Sequence, residues 1–213
     1  MTQTPLSPRK PDAREKLLAS ALRLIRTKGY TATTVDDLCK DAGVTKGAFF
    51  HHFRSKDDLA VASARHWSQI TSALFAAAPY HLPQDPLDRV LGYLDFRKDL
   101  VRGEVAEYTC HVGTMVQDVH LSAPEIRDAC HDSIFGHAQT LEADMEAAAN
   151  DRGITLPGGA ASLALHTQAV LQGAFVLAKA SGDAEIVRDS IDHLIRYIRQ
   201  IYQSPHVEGG DMS

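Results

Sequence analysis

The sequence predicts an all-α protein: an N-terminal three-helix helix-turn-helix domain, residues 1–55, followed by a C-terminal helical domain, residues 56–213. Three observations carry that expectation. Apolar side chains recur every three or four positions through most of the chain, which puts them on one face of a helix, and no stretch shows the period of two of a half-buried strand. The segments are separated by helix punctuation, with Thr, Ser and Asp at starts, Pro in first turns and Gly at ends. Residues 42–45, Ala-Gly-Val-Thr, join two segments too short to be stable alone, so both must lean on a neighbour.

The first helix covers residues 12–28, with Leu17, Leu18, Ala21, Leu22 and Ile25 in one stripe; Gly29 stops it and Tyr30 supplies the hydrophobic contact of a glycine cap. Thr34 opens the second with Asp37 as its capping-box partner, and Gly43 ends it. Thr45 caps the third. Ser55 and Asp58 form another capping box before a long fourth helix that carries Leu59, Trp67, Ile70 and Leu74 toward residue 78. The proline-bearing loop PYHLPQDP then marks a joint. Pro86 starts the fifth helix (Leu87, Val90, Leu91, Leu94), and a sixth is expected over roughly residues 108–119. Ser122, Pro124 and Glu125 open a seventh that ends near Gly153. The eighth runs from LPGG at 156–159 to about residue 181, and the ninth from 183 to about 203. The first ten or so residues and the last eight read as loose tails.

The 213-residue chain is 44% hydrophobic and 23% charged, a composition that buries a core and is not that of a disordered chain. No apolar run approaches the ~18 residues that span a bilayer. The N-terminal MTQTPLSPRKPDAREK lacks the apolar middle of a secretion signal, so no membrane partner and a cytoplasmic location are expected. Three widely spaced cysteines do not make a disulfide framework. The net charge of −5 is split: residues 1–65 hold 12 basic against 7 acidic side chains, residues 66–213 hold 10 against 20. A basic head on an acidic body is the pattern of a head that meets a polyanion.

A tight glycine turn between two short helices is the helix-turn-helix arrangement, whose second helix enters the major groove of double-stranded DNA. Phe49 and Phe53, four apart, face inward and clamp that helix; Lys46, Ala48, Phe50, His51 and His52 remain on or near its outer face. Thr45 and Lys46 stand at its start, where free N–H groups favour a phosphate. Gly47 and Ala48 are small enough for close approach to base edges, and the Ala48 methyl matches a thymine methyl.

The stretch TTVDDLCKDAGVTKGAFFHHFRSKDDL, residues 33–59, resembles the DNA-binding signature of the TetR family, the tetracycline-repressor-like regulators. The resemblance implies a homodimer, a three-helix DNA-binding domain, and a C-terminal domain that dimerises and binds a small effector. It also implies a palindromic operator as partner, with repression as the usual outcome. On this resemblance Lys56 takes the family's backbone-phosphate contact, and Thr34 is a helix cap first and a phosphate ligand second. Two departures stand out: Phe50 replaces the usual Tyr, and Ala48 replaces a common Ser or Thr. His51 replaces a neighbouring aromatic and can still donate to phosphate. Asp36 and Asp37 suit the helix N-terminus, and Cys39 takes a small apolar core position.

In the body, an effector pocket is expected among the fourth to eighth helices, with Trp67, Tyr93, Phe96, Tyr108, Met115, Phe135, His137 and Phe175 as candidate linings. No basic cluster is evident, which weighs against a large anionic effector. The segment from Cys110 through Gly113 to Gln117 is similar to the Cys-x-x-Gly-x-x-x-Gln segment of TetR-type regulators that sense electrophiles and unsaturated carbonyl compounds. That similarity makes Cys110 an effector-sensing thiol with Cys130 as possible partner; the equal alternative is a packed helix in which Gly113 permits close approach. Reactivity requires a nearby cation or helix N-terminus. No metal or cofactor is expected: Cys110/His111 and Cys130/His131 are adjacent pairs, about 100° apart on a helix, rather than pairs sharing a face. His137 reads as a pocket or core histidine. The alternatives in function are a helical enzyme, for which Cys110-His111 is the best available pair and GxSxG is absent, and a thiol or redox sensor without operator specificity. Dimerisation is expected through the last two helices, by Leu163, Ala164, Thr167, Leu171, Ala174 and Ala178 with Val187, Ile191, Leu194, Ile198 and Ile201. The same stripes suit the closure of one subunit's own core.

Overall fold

Side chains that accept from the first free N–H groups set the helix starts of the head. Asp12 and Glu15 bond each other's backbone N–H, as do Thr34 and Asp37; Thr45 accepts from Ala48 and Ser55 from Asp58. The computed structural model describes residues 10–203, so the expected loose tails lie almost wholly outside the described residues. It contains α1 (Ala13–Lys28), α2 (Val35–Ala42), α3 (Lys46–His52), α4 (Lys56–Ala76), a 3-10 turn (Pro79–His81), α5 (Pro86–Asp99), α6 (Val105–Tyr108), α7 (His111–Val119), α8 (Pro124–Arg152), α9 (Gly159–Ser181) and α10 (Glu185–Gln203). The fold is all-helical among the described residues, with a helix-turn-helix at α2–α3.

The single sixth helix of the sequence reading is two helices. Thr109 is extended (φ −82°, ψ 157°) and Cys110 is the N-cap of α7, its Sγ accepting from the Gly113 N–H at 3.3 Å. A thiol is not among the usual capping side chains, so the break carries no sequence signal.

Two apolar cores organise the chain. The first gathers Leu17, Leu18, Ala21 and Ile25 of α1, Leu38, Phe49 and Phe53, then continues through Leu59, Ala60 and Ala64 of α4 into Val112, Met115, Val119, Ile126 and Cys130 of α7 and α8. The second joins α5, α8, α9 and α10 around Tyr93, Leu94, Met145, Leu171, Ile191 and Ile198. The helix-turn-helix therefore leans on α1, and the head meets the body through α1, which packs on α6 and α7, and through α4, which packs on α7 and α8.

Three other expectations change. The seam residues named for a dimer are the protomer's own core: Leu163, Ala164, Leu171, Ala174, Ala178, Val187, Ile191, Leu194 and Ile198 are all buried within one chain. The opposite face of the same helices leaves Leu165, Val176, Leu177 and Tyr197 exposed. Ile70 and Leu74 turn outward from α4. Finally, α9 is long and apolar enough by length and composition to cross a membrane; 44% of its most apolar window is buried between α8 and α10, as in a core helix.

Candidate nucleic-acid interface and internal cavity

Helix α3 has seven residues and gains its order from what it plugs. Phe49 is fully buried and Phe53 nearly so, their ring centroids 5.9 Å apart. Burying two such rings stabilises by about 1.5–3 kcal/mol each, well beyond the propensity of so short a helix. The outer face then presents Phe50, which is 56% exposed, with exposed His51 and Lys46 and the half-buried His52 and Ala48. Lys46 Nζ lies 2.7 Å from Asp36 Oδ1, an exposed pair across the turn. Thr34 and Thr45 are engaged as caps.

Lys56 is not a free surface lysine. Its Nζ donates to the carbonyls of Tyr30 (3.2 Å) and Thr33 (3.0 Å) and sits 4.1 Å from the Tyr30 ring centroid. It straps the α1–α2 loop to the start of α4. The same loop is held from the body: Asp118, on α7, accepts from the Tyr30 N–H at 2.7 Å and the Thr31 N–H at 3.3 Å. A Cβ at Gly29, whose φ is +85°, would stand 2.8 Å from the Asp118 carboxylate, so glycine is required there both for conformation and for this approach. The Tyr30 hydroxyl bonds Asp57, and burial with that carboxylate raises its pKa.

Inside the body lies a cavity with about 430 Å³ of atom-free space, its mouth included. Five of the expected residues line it: Trp67, Tyr108, Cys110, His137 and Phe175. Tyr93 and Phe96 stand behind the wall, Tyr93 with 1% exposure and Phe96 edge-on to the lining Phe75 at 5.5 Å. Three expected residues lie elsewhere. Met115 and Cys130 are fully buried in the first core, and Phe135 is 41% exposed, stacked on His131 at 4.2 Å. Cys130 shares a stripe with His137, but seven residues are about 10.5 Å of rise, which carries it out of the cavity toward the head. Its thiol is pushed up to about 12, by burial first and then by Cys110.

The lining that sequence reasoning missed is mostly polar: Thr71, Arg97, Ser133, Gln168 and Gln172. Gln168 is 4% exposed on an otherwise apolar α9, and a buried amide four residues from a second one was a readable signal. Gln168 donates to the Tyr93 hydroxyl (3.1 Å), leaving the Tyr93 proton for His137 Nε2 (3.0 Å). His137 is thus held neutral, its pKa lowered to about 3 by burial and then by the Arg97 charge.

Cys110 lies between this cavity and a second hollow of about 550 Å³ lined also by Gly113, Gln117, Gln172 and Lys179. A Cβ at Gly113 would collide with the Gln172 amide. Arg26 and Lys179 both lie within electrostatic reach of Cys110, and burial lowers the pKa of each. His111 faces the other way: it is fully buried, with Nε2 2.9 Å from Ser63 Oγ and its pKa lowered to about 3 by burial and then Arg26. Cys110 and His111 do not form a nucleophile–base pair. Tyr108 Oη, Thr109 Oγ1 and His111 Nδ1 are buried without a hydrogen-bond partner among the described residues.

Residues 17–62 match the model of the bacterial regulatory proteins, tetR family. The chain is 27% identical over 209 residues to the HTH-type transcriptional repressor NemR of Escherichia coli K12, covering 92% of this chain and 96% of that protein. The crystal structure of the reduced form of E. coli NemR superposes with a TM-score of 0.71 at 26% identity, over 86% of this chain and 95% of that one. A TetR-family regulator from Agrobacterium tumefaciens has the same fold, with a TM-score of 0.76 at 22% identity, over 87% and 96% of the two chains.

Proposed function

The chain belongs to the TetR family of bacterial regulatory proteins and is a DNA-binding transcriptional regulator, not an enzyme; on that premise we propose that it is a repressor released from a palindromic operator by a small effector. The observation that carries this reading is α7. Its first end, at Cys110, borders the cavity, and its last turn, at Asp118, bonds the backbone of the α1–α2 loop that leads into the helix-turn-helix. An occupant that displaces α7 at one end has a rigid route to α2 and α3 at the other, and it shifts the equilibrium only by its differential affinity for the two arrangements.

In this reading residues 1–55 bind DNA, Lys46, Gly47 and Ala48 face base edges, and Thr34, Thr45, Phe50, His51, His52 and Lys56 border the phosphates. The body is the effector-binding and dimerisation unit of a cytoplasmic homodimer. Its interface is the outer face of α9 and α10, where Leu165, Val176, Leu177 and Tyr197 are exposed in the single chain. Cys110 is the effector-sensing thiol, supported by its place at the start of α7, its capping bond to the Gly113 N–H and its position on the cavity border. The deeply buried Cys130 serves as packing.

The test is operator binding by gel shift and sedimentation. Specific binding as a dimer is expected, with operator affinity at least about a thousandfold above random DNA. Treatment with an unsaturated aldehyde or hypochlorite should release wild type and leave Cys110→Ser bound. Equal release of both proteins assigns Cys110 to structure alone, and equal affinity for operator and random DNA refutes the function.

A further inference from the structure

The cavity lining contains one formal charge. Arg97 faces it, and among the residues that border it there is no Asp or Glu. No carboxylate among the described residues pairs with Arg97; its guanidinium is held by rings instead, 5.2 Å from the centroid of Phe75, 5.8 Å from Phe175 and 5.9 Å from Tyr93. Packing of this kind occupies the faces of the guanidinium and leaves its in-plane N–H groups, the ones that grip a carboxylate, directed elsewhere. It also fixes the side chain before any ligand arrives, which reduces the ordering cost of binding.

Two further features agree. The walls supplied by Trp67, Phe75, Tyr108 and Phe175 are aromatic and flat-sided. Neighbouring His137 is committed as an acceptor from Tyr93, so it adds no competing charge. One cation in an aromatic, carboxylate-free chamber selects an anion with a planar body and excludes a cation.

We propose that the cavity takes a second, non-covalent effector beside the electrophile sensed by Cys110: a small planar organic monocarboxylate, its carboxylate ion-paired to Arg97 and its flat body between the aromatic walls. This rests on the reading of the protein as an effector-released regulator and names the chemical class of that second effector. The absence of a basic cluster argues against a large polyanion; it does not weigh against a single carboxylate, which needs one well-placed guanidinium.

The experiment is calorimetric titration of full-length protein with benzoate and trans-cinnamate, set against benzamide and trans-cinnamamide, together with operator release at saturating probe. In wild type the acids should bind at least about tenfold more tightly than their amides, the advantage of one charge-assisted pair, and should release the operator. Arg97→Gln should bring the acid-to-amide ratio to about one, while Arg97→Lys, which keeps the charge and controls for folding, retains part of it. The proposal is overturned if amides bind wild type as tightly as acids, or if Arg97→Gln keeps the acid preference with an unchanged melting temperature. It is overturned too if neither acid binds while an unsaturated aldehyde still releases the operator; that outcome leaves the effector-released regulator standing. Release by none of these agents counts against both readings.

Discussion

In the head the bulky buried side chains are apolar, Leu17, Leu38, Phe49 and Phe53, and the charges pair at the surface, Lys46 with Asp36, Lys28 with Asp37 and Arg23 with Asp41. The body does the opposite and carries polarity inside: Tyr93, His137 and Gln168 form a largely buried chain, Arg97 is held among rings, and Tyr108, Thr109 and His111 each have a buried polar atom without a partner among the described residues. Exposed ion pairs contribute about 0–1 kcal/mol, so the head's pairs hold little of its fold and can be exchanged for phosphates at low cost. Buried polar groups are expensive to leave unpaired, so the body is where a ligand with complementary atoms gains most. On the proposed function, the head that reads DNA and the body that receives the effector are built from different uses of the same side-chain types.

Four measurements break or sharpen that contrast. Phe49→Ala removes the plug on which α3 rests, and unfolding by urea should show a loss of about 3–5 kcal/mol, with operator binding lost at temperatures where wild type is folded. A loss below 1 kcal/mol means that α3 is ordered by something other than its aromatic anchor. Lys46→Ala should leave the melting temperature nearly unchanged, since its partner Asp36 is exposed, while weakening operator binding by roughly 1–3 kcal/mol in gel shift. Lys56→Ala is expected to lower both quantities, because its ammonium also ties down the loop carbonyls.

The third measurement concerns acid. His111 and His137 have folded pKa values lowered to about 3 from 6.5. The unfolded chain therefore takes up protons as pH falls through 6.5 while the folded one does not, and stability that is complete above that value is lost progressively from 6.5 down toward 3. Between pH 6 and 5 each histidine should cost about 1 kcal/mol, read from urea midpoints. His111→Gln should flatten the profile by one histidine's share; an unchanged profile means the ring is already accessible to protons. The smallest effect is Thr34→Ala, which removes the α2 cap and should cost about 1 kcal/mol in unfolding without changing which DNA sequence is preferred. A change of preference assigns Thr34 to the DNA contact rather than to the helix.

Local rules were enough to read the head. The box at Thr34–Asp37, the glycine stop at Gly43 and the i, i+4 pair Phe49–Phe53 are interactions among residues within four positions of one another, so spacing alone specifies them; at Ser55 only half of the expected box forms, since the Asp58 carboxylate accepts from the Arg54 N–H instead of the Ser55 N–H. The same holds for the all-helical class and for the stripes of α9 and α10. Which surface those stripes meet is a different matter. Leu171 and Ile198 have the periodicity of a seam whether the opposing helix belongs to the same chain or to a partner, and only the packing of α8, α9 and α10 assigns them to the protomer's own core. The cavity lining is likewise set by rotation and rise: Phe135 turns to solvent and Cys130 slides into the first core, although both lie within seven residues of His137. Arg97 reads in sequence as one more surface cation near a helix end, and it becomes a cavity residue because Phe75, Tyr93 and Phe175 converge on it from three helices. Periodicity and capping are short-range and so are written along the chain; the meeting of side chains from separate helices depends on how whole helices stack, which no local pattern encodes.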